Sequence, residues 1–274
     1  MKYYAGLDVS PKETSICVVS ENGQIYGEGK TQSDACDLAA WLIDLGFSLD
    51  RVGLEAGPLS PWLHEGLVAA GISAVCIETR RMKGATAAMA VKTDRNDARA
   101  IAHAMRVGWF TAVHVKSSKS QELRLLLTNR KTLLNAQLNL ENEVRGTLKA
   151  FGVKAGTLKA AGFEKRILEL ISDRPTLLQF VRPILVARNE LRRQVAALHG
   201  LVLKACRRDP VCQRLMTAPG VGPIVALTYA TAIDDPDRFR KSRDVGPHLG
   251  LTPRKYALAT TTAWSRTIKA RLSP

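Results

Sequence analysis

The sequence predicts an α/β domain at its N-terminus, then a long helical stretch, then a small, mainly helical C-terminal part. Three observations carry this. Short apolar runs alternate with amphipathic ones up to about residue 112, the pattern of strands and helices in turn. Two long stretches, 117–150 and 182–206, hold apolar residues at helical spacing with few breakers. A Pro-Gly-Val-Gly-Pro turn at 219–223 then leads into one more apolar helix. The expected divisions are 1–112, an α/β domain; 113–210, a helical, coiled-coil-like linker; 211–256, a small C-terminal domain; and 257–274, an atypical tail.

The first strand is Tyr3 to Ser10. Tyr3, Tyr4, Ala5, Leu7 and Val9 suit a covered, pleated surface. Asp8 closes the run. A carboxylate there is costly to bury without a cation or hydrogen bonds, so Asp8 is either a turn residue or a metal ligand waiting for companions. Thr14 to Ser20 reads as a second strand. Asn22-Gly23 is a hairpin signal, and Gln24 to Gly29 is the returning third strand. No Gly-x-Gly-x-x-Gly follows the first strand, so a dinucleotide-binding domain has no support.

A helix is expected from Ser33, with Leu38, Trp41, Leu42 and Leu45 on one face and Gly46 as its stop. Arg51 to Ala56 is a short strand that ends around Glu55 and is broken by Gly57-Pro58. Ser60-Pro61 opens another helix, and Ile72 to Ile77 is a buried strand. This alternation implies parallel neighbours. In Lys92 to Arg99, KTDRNDAR, a helix beginning near Asp94 puts Asp94 and Asp97 on one face, one turn apart. The blander reading is a capped helix with a solvated acidic turn; the sharper one is a pair of like charges relieved by a bound cation.

The helix from Ser117 carries Leu123, Leu127, Leu134, Leu138 and Leu148 as its apolar seam, with Arg124, Arg130, Lys131, Arg145 and Lys149 around it. A second basic helix, expected to begin around Pro183, carries Arg188, Arg192 and Arg193, and the two can pair as an antiparallel hairpin. The glycines of the 219–223 turn, Gly220 and Gly222, either make a tight turn between packed helices or point backbone N–H groups at a phosphate, as helix-hairpin-helix modules do. Beyond Tyr256 there is no acidic residue and little periodicity, which predicts a tail that is either disordered or foreign to the fold.

Charge divides the chain in two. Residues 1–100 hold 10 Lys and Arg against 13 Asp and Glu, whereas residues 101–274 hold 30 against 12. A polyanion on the basic part is the reading that uses this asymmetry. The five cysteines form no Cys-x-x-Cys pair, so neither a zinc site nor a disulfide framework is indicated. No apolar run is long enough to span a membrane and no signal-peptide pattern opens the chain. The expected location is the cytoplasm, in association with the nucleoid.

Asp8, Glu55, Asp94 and Asp97 form a constellation if the sheet is ribonuclease-H-like. There the first strand is central and the next parallel strand pairs with it, so both strand ends and one later helix face a common point. Four carboxylates there would hold two Mg²⁺ ions through oxygen ligands, an arrangement suited to phosphodiester exchange.

The segments GLDVS (6–10), LEAG (54–57), KTDRNDAR (92–99), PGVGP (219–223) and GLTPRKY (250–256) resemble, in that order, the DEDD transposases of the insertion-sequence-110 family and related DNA invertases. The resemblance covers residues 3–256. It implies a RuvC-like N-terminal domain, a coiled-coil linker and a C-terminal transposase domain. It further implies metal binding by Asp8, Glu55, Asp94 and Asp97, a structured non-coding guide RNA that pairs with donor and target DNA, and action as a dimer or tetramer. Carried onto this chain, Arg124, Arg130, Lys131, Arg192, Arg193, Gly220, Gly222, Arg254 and Lys255 would hold nucleic acid. The family places a serine nucleophile in a Ser-Gly pair shortly after GLTPR, but Leu258 stands at that position and no glycine follows it. A copy truncated or frameshifted after Tyr256 is therefore expected. Two other readings are a nucleic-acid-binding remnant without catalysis and an actin-like kinase or ATPase. The latter needs a second phosphate-binding hairpin that the sequence lacks.

Overall fold

The computed structural model describes residues 1–79 and 93–252, together with the backbone of strands at 254–258 and 261–265. It falls into two compact units, Met1–Lys116 and Ser117–Pro274.

The first unit is built on a five-stranded sheet. Its strands are β1 (Tyr3–Val9), β2 (Glu13–Ser20), β3 (Ile25–Gln32), β4 (Arg51–Glu55) and β5 (Ala74–Ile77), in the order β3-β2-β1-β4-β5. The β1–β2 and β2–β3 pairs are antiparallel, and β1–β4 and β4–β5 are parallel. This is the RuvC/ribonuclease-H-like arrangement expected from the strand pattern, with β1 central. Because helices cover both faces of β1, its sequence is almost continuously apolar. Ala5, Leu7, Val18 and Leu54 face α1 (Ala35–Ile43) and α2 (Ser60–Ala69). Tyr4, Cys17 and Val19 face α3 (Asp94–Val107) through Ile101, Ala102 and Met105.

Helix α1 begins two residues later than the sequence suggests, because Asp34 rather than Ser33 is its N-cap and accepts the Cys36 N–H at 2.8 Å. Strand β3 runs further than expected, to Gln32, which pairs with Glu13 at the start of β2.

The second unit is a helical hairpin with a small cap. Helices α4 (Ser118–Lys149) and α6 (Pro175–Arg208) pair antiparallel, and α5 (Phe163–Leu170) fills the closed end of the hairpin. There Val144, Leu148, Phe163, Ile167, Val181 and Leu185 form one core. At the open end Val202 and Cys206 pack with Cys212, Ala226 and Leu227, from α7 (Pro210–Leu215) and α8 (Pro223–Ile233).

Three expectations are corrected here. Helix α6 begins at Pro175, eight residues before Pro183, which lies inside it. Pro183 gives up one N–H, yet Val181 and Leu185 on either side are buried against α5, and that packing carries the helix through the break. The seam of α4 is more polar than its leucines suggest. Gln137 and Glu141 are buried, whereas Leu138 is exposed. The tail is not without structure, since β6 (Arg254–Leu258) and β7 (Thr261–Ser265) form an antiparallel hairpin.

Candidate active site

The register of the sheet places the first two acids. Leu7 of β1 lies beside Leu54 of β4, so Asp8 and Glu55 are the next residue on each of two adjacent parallel strands. Their direction follows from the residues two before them. A Cβ on Gly6 would sit 2.2 Å from the Ala98 carbonyl oxygen and 2.3 Å from the Ala102 nitrogen. A Cβ on Gly53 would sit 2.8 Å from Met105 Cγ and 2.9 Å from Ile101 Cγ2. Gly6 and Gly53 therefore lie on the face that α3 covers, and the alternation sends Asp8 and Glu55 out on that same face. Both half-buried carboxylates line one cavity of about 180 Å³, shared with Ser10, Gly57, Pro58 and Ser60. The Ser60 hydroxyl closes the turn after β4, accepting the Gly57 N–H at 3.0 Å and donating to the Gly57 carbonyl at 2.8 Å.

Helix α3 brings the other two acids to the same end of the sheet. Thr93 is its N-cap and accepts the Asn96 N–H at 3.2 Å, so Asp94 and Asp97 occupy the first turn, where the helix dipole favours negative charge. The helix runs opposite to β1. Asp94 bonds to Lys30, which pairs through Ser15 with the level of Asp8, while Arg106 bonds to the Glu21 carbonyl at the far end. Asp97 is half-buried, and its Oδ1 is buried without a hydrogen-bond partner. Asp94 is exposed and stands 3.8 Å from Lys30 Nζ.

The structure thus joins Asp8 and Glu55 in one cavity, aims the first turn of α3 at the same strand ends and holds Asp94 outward on Lys30. Among the described residues, no three His, Cys, Asp or Glu side chains stand close enough together to hold a metal ion. The donor chemistry nonetheless suits a hard divalent cation, since every candidate ligand is a carboxylate and one of them is a buried, unpartnered oxygen.

A group that the sequence reading missed borders this site. Glu28 of β3 lies at the level of Cys17 and Gly6, with its side chain only 14% exposed. It accepts the Nε of Arg95 at 2.9 Å and Nη2 of Arg99 at 3.0 Å, and each arginine gives it a second bond. The hydrogen bonds from Arg99 and then Arg95 pull the Glu28 carboxyl down to about 2. Burial, reinforced by the Glu28 charge, pushes the Cys17 thiol up to about 12, which keeps it inert. The signal was present in the sequence as a lone acid between two glycines on an edge strand, but no spacing rule connects it to residues 95 and 99.

The candidate nucleic-acid residues are distributed differently. Arg124, Lys131, Arg192 and Arg193 are exposed on the hairpin, with Arg193 bonded to Glu190 at 2.8 Å. Arg130 is half-buried, and its Nε has no hydrogen-bond partner, as is also true of His199 Nδ1 on α6. Gly220 adopts φ +82°, and a Cβ on it or on Gly222 would meet nothing within 4 Å, so the turn between α7 and α8 is open. Arg254 and Lys255 lie on β6.

Comparison with known proteins gives the family. A family model described as "Transposase", of the DEDD type of IS110, matches residues 5–152. A second, described as "Transposase IS116/IS110/IS902 family", matches residues 212–272. The transposase for insertion sequence element IS1111A of Coxiella burnetii is 28% identical over 92% of this chain and 69% of its own length. A putative transposase of Sinorhizobium fredii and a probable family 20 transposase of Pseudomonas aeruginosa are each 30% identical over 61% of this chain, covering 44% and 51% of theirs. Two solved structures of Thermus thermophilus RuvC, one in complex with a Holliday junction substrate, are similar at 14% and 15% identity. They cover 41% and 40% of this chain, with TM-scores of 0.33 and 0.32. The chain belongs to the IS110-type transposase family. It spans about half the length of the Sinorhizobium and Pseudomonas relatives. No helix among the described residues is long and apolar enough to cross a membrane.

Proposed function

We propose that this chain is the DNA-cutting and strand-exchanging protein of an IS110-type insertion sequence, with Asp8, Glu55, Asp94 and Asp97 as the Mg²⁺ ligands. The observation that carries the reading is the meeting of Asp8 and Glu55 in one cavity, at the end of the sheet where α3 begins and where Asp97 keeps a buried oxygen without a hydrogen-bond partner. Bound Mg²⁺ would supply charge neutralisation at a scissile phosphate. The chain's own contribution is positional. Parallel strands fix Asp8 and Glu55 side by side, the Gly57–Ser60 turn shapes the cavity lip, and the N-terminus of α3 favours an anion nearby. For a cation to be shared by all four acids, Asp94 has to leave Lys30.

In this reading the exposed arginines and lysines of the α4–α6 hairpin carry DNA and a structured guide RNA through phosphate contacts, and two or more copies act together. The open Gly220–Gly222 turn and the β6 residues Arg254 and Lys255 add to that surface. The test is cleavage of element-end DNA by the purified chain with its transcript. Asp8→Asn is expected to abolish Mg²⁺-dependent cleavage and to leave DNA binding unchanged. Undiminished cleavage by Asp8→Asn would sink the reading.

A second reading is favoured by Leu258, which occupies the position where a serine nucleophile is expected. On this reading the chain binds nucleic acid and does not complete strand exchange. A salt-sensitive DNA complex with no cleavage by the wild-type chain would select it. Covalent capture of DNA that is lost in Ser265→Ala would exclude it.

A further inference from the structure

Glu28 touches none of the four candidate ligands, yet it binds the two arginines interleaved with Asp94 and Asp97 in the first turns of α3. The sheet-facing side of α3 is Ala98, Ile101, Ala102 and Met105, lying over two glycines. Such contacts are non-directional. They hold the helix close to β1 but do little to stop it turning about its own axis. Each residue step is a rotation of about 100°, so a slip of one residue would swing Asp97 off the face shared with Asp8 and Glu55. Arg95 and Arg99 are four apart and therefore form one stripe, and Glu28 accepts from Arg95 with Oε2 and from Arg99 with both oxygens. A bidentate, charge-assisted pair is directional in the way the apolar contact is not.

We propose that Glu28, acting through Arg95 and Arg99, is a positioning residue that sets the rotation of α3 and so turns Asp97 toward the strand ends that carry Asp8 and Glu55. The proposal rests on the four-carboxylate reading given above. It assigns a role to a strand that contributes no ligand and to arginines that would otherwise count as DNA contacts. The titratable groups that face Glu28 are Arg95 and Arg99 from the helix and the neutral Cys17 thiol from β2, its partner in the sheet.

The experiment is Mn²⁺ binding to the full chain, followed by calorimetry and by the loss of the free-ion resonance signal. Mn²⁺ is the probe because it shares the oxygen-ligand preference of Mg²⁺. Wild type and Asp8→Asn set the scale, and Asp8→Asn is expected to lose binding. Glu28→Gln is expected to bind roughly tenfold more weakly, as is usual for outer partners of metal ligands, and to reach full occupancy at higher Mn²⁺ with its circular dichroism unchanged. Arg95→Gln removes an exposed side chain and is expected to weaken binding about threefold. If folded Glu28→Gln and Arg95→Gln bind like wild type while Asp8→Asn does not, the positioning role is overturned and the carboxylate site stands. If wild type and Asp8→Asn are indistinguishable, the site itself is refuted and the positioning role with it. Should Glu28→Gln fail to fold, Arg95→Gln decides, since wild-type affinity in that variant overturns the proposal.

Discussion

The two units of this protein solve the same packing problem in opposite ways. In the N-terminal unit α3 meets β1 backbone to backbone, because Gly6 and Gly53 leave no side chain between them. Its charged contacts, Glu28 with Arg95 and Arg99, lie at the edge of that seam. In the C-terminal unit the charged contact is inside. Arg188, 1% exposed, donates to the Glu141 carboxylate at 2.8 Å and to the Ala160 carbonyl at 2.6 Å, and it lies over the Phe163 ring. Burial would raise the Glu141 carboxyl, but the bonds from Gln137 and Arg188 hold it below its ordinary value. The apolar seam leaves a rigid platform free to carry chemistry. The ionic seam fixes the register of two long helices whose outer faces stay basic.

Breaking the ionic seam is expected to cost most. Glu141→Leu leaves a buried, unpaired Arg188 and should destabilise the hairpin by about 3–5 kcal/mol, read as a lower urea midpoint. Glu141→Leu combined with Arg188→Met should restore most of that loss. If the single variant is as stable as wild type, the pair is not what sets the register.

The apolar seam is tested by Gly6→Ala. The added methyl meets backbone atoms that cannot swing aside, so a loss of about 3 kcal/mol is expected, together with loss of divalent-ion binding. Thermal unfolding and Mn²⁺ titration check both. A stable variant with intact binding would show that α3 can lift off β1 without consequence.

A smaller effect sharpens the contrast at the edge of the seam. The Glu28 carboxyl has a folded value of about 2 against an ordinary 4.5. Its contribution to stability is therefore complete above the unfolded value and fades as pH falls through the folded one. Wild type should exceed Glu28→Gln in stability at pH 6, and the gap should narrow at pH 3 and close near pH 2. A gap that is constant across that range would remove the ion pair as its cause.

On the basic hairpin, Arg192→Gln with Arg193→Gln should lower the slope of log affinity for duplex DNA against log salt by about 2, if each contacts one phosphate. An unchanged slope would move the DNA surface elsewhere. The least effect is expected from Lys30→Gln. An exposed pair of this kind contributes at most about 1 kcal/mol, so stability should hold while Asp94 becomes free to join the other carboxylates. Mn²⁺ affinity that rises slightly or stays level fits this, whereas a marked fall would make Lys30 part of the site.

The sequence by itself determined what depends on neighbours along the chain. A covered apolar run marked β1, the Asn22-Gly23 turn marked the hairpin, and the acidic, capped start in KTDRNDAR marked α3. The family motifs named the four acids and the ends of the elements that carry them. These are short-range properties, fixed by two-residue and 3.6-residue periods and by turn chemistry. Tertiary structure alone decided what depends on packing. It carried α6 through Pro183, because Val181 and Leu185 are buried on either side. It buried Glu141 and Arg188 where leucines had marked the seam, and it turned Asp94 toward Lys30. It also tied Glu28 to arginines about 70 residues away. Such a pairing arises when strands and helix are laid side by side, and no local pattern in the chain encodes it.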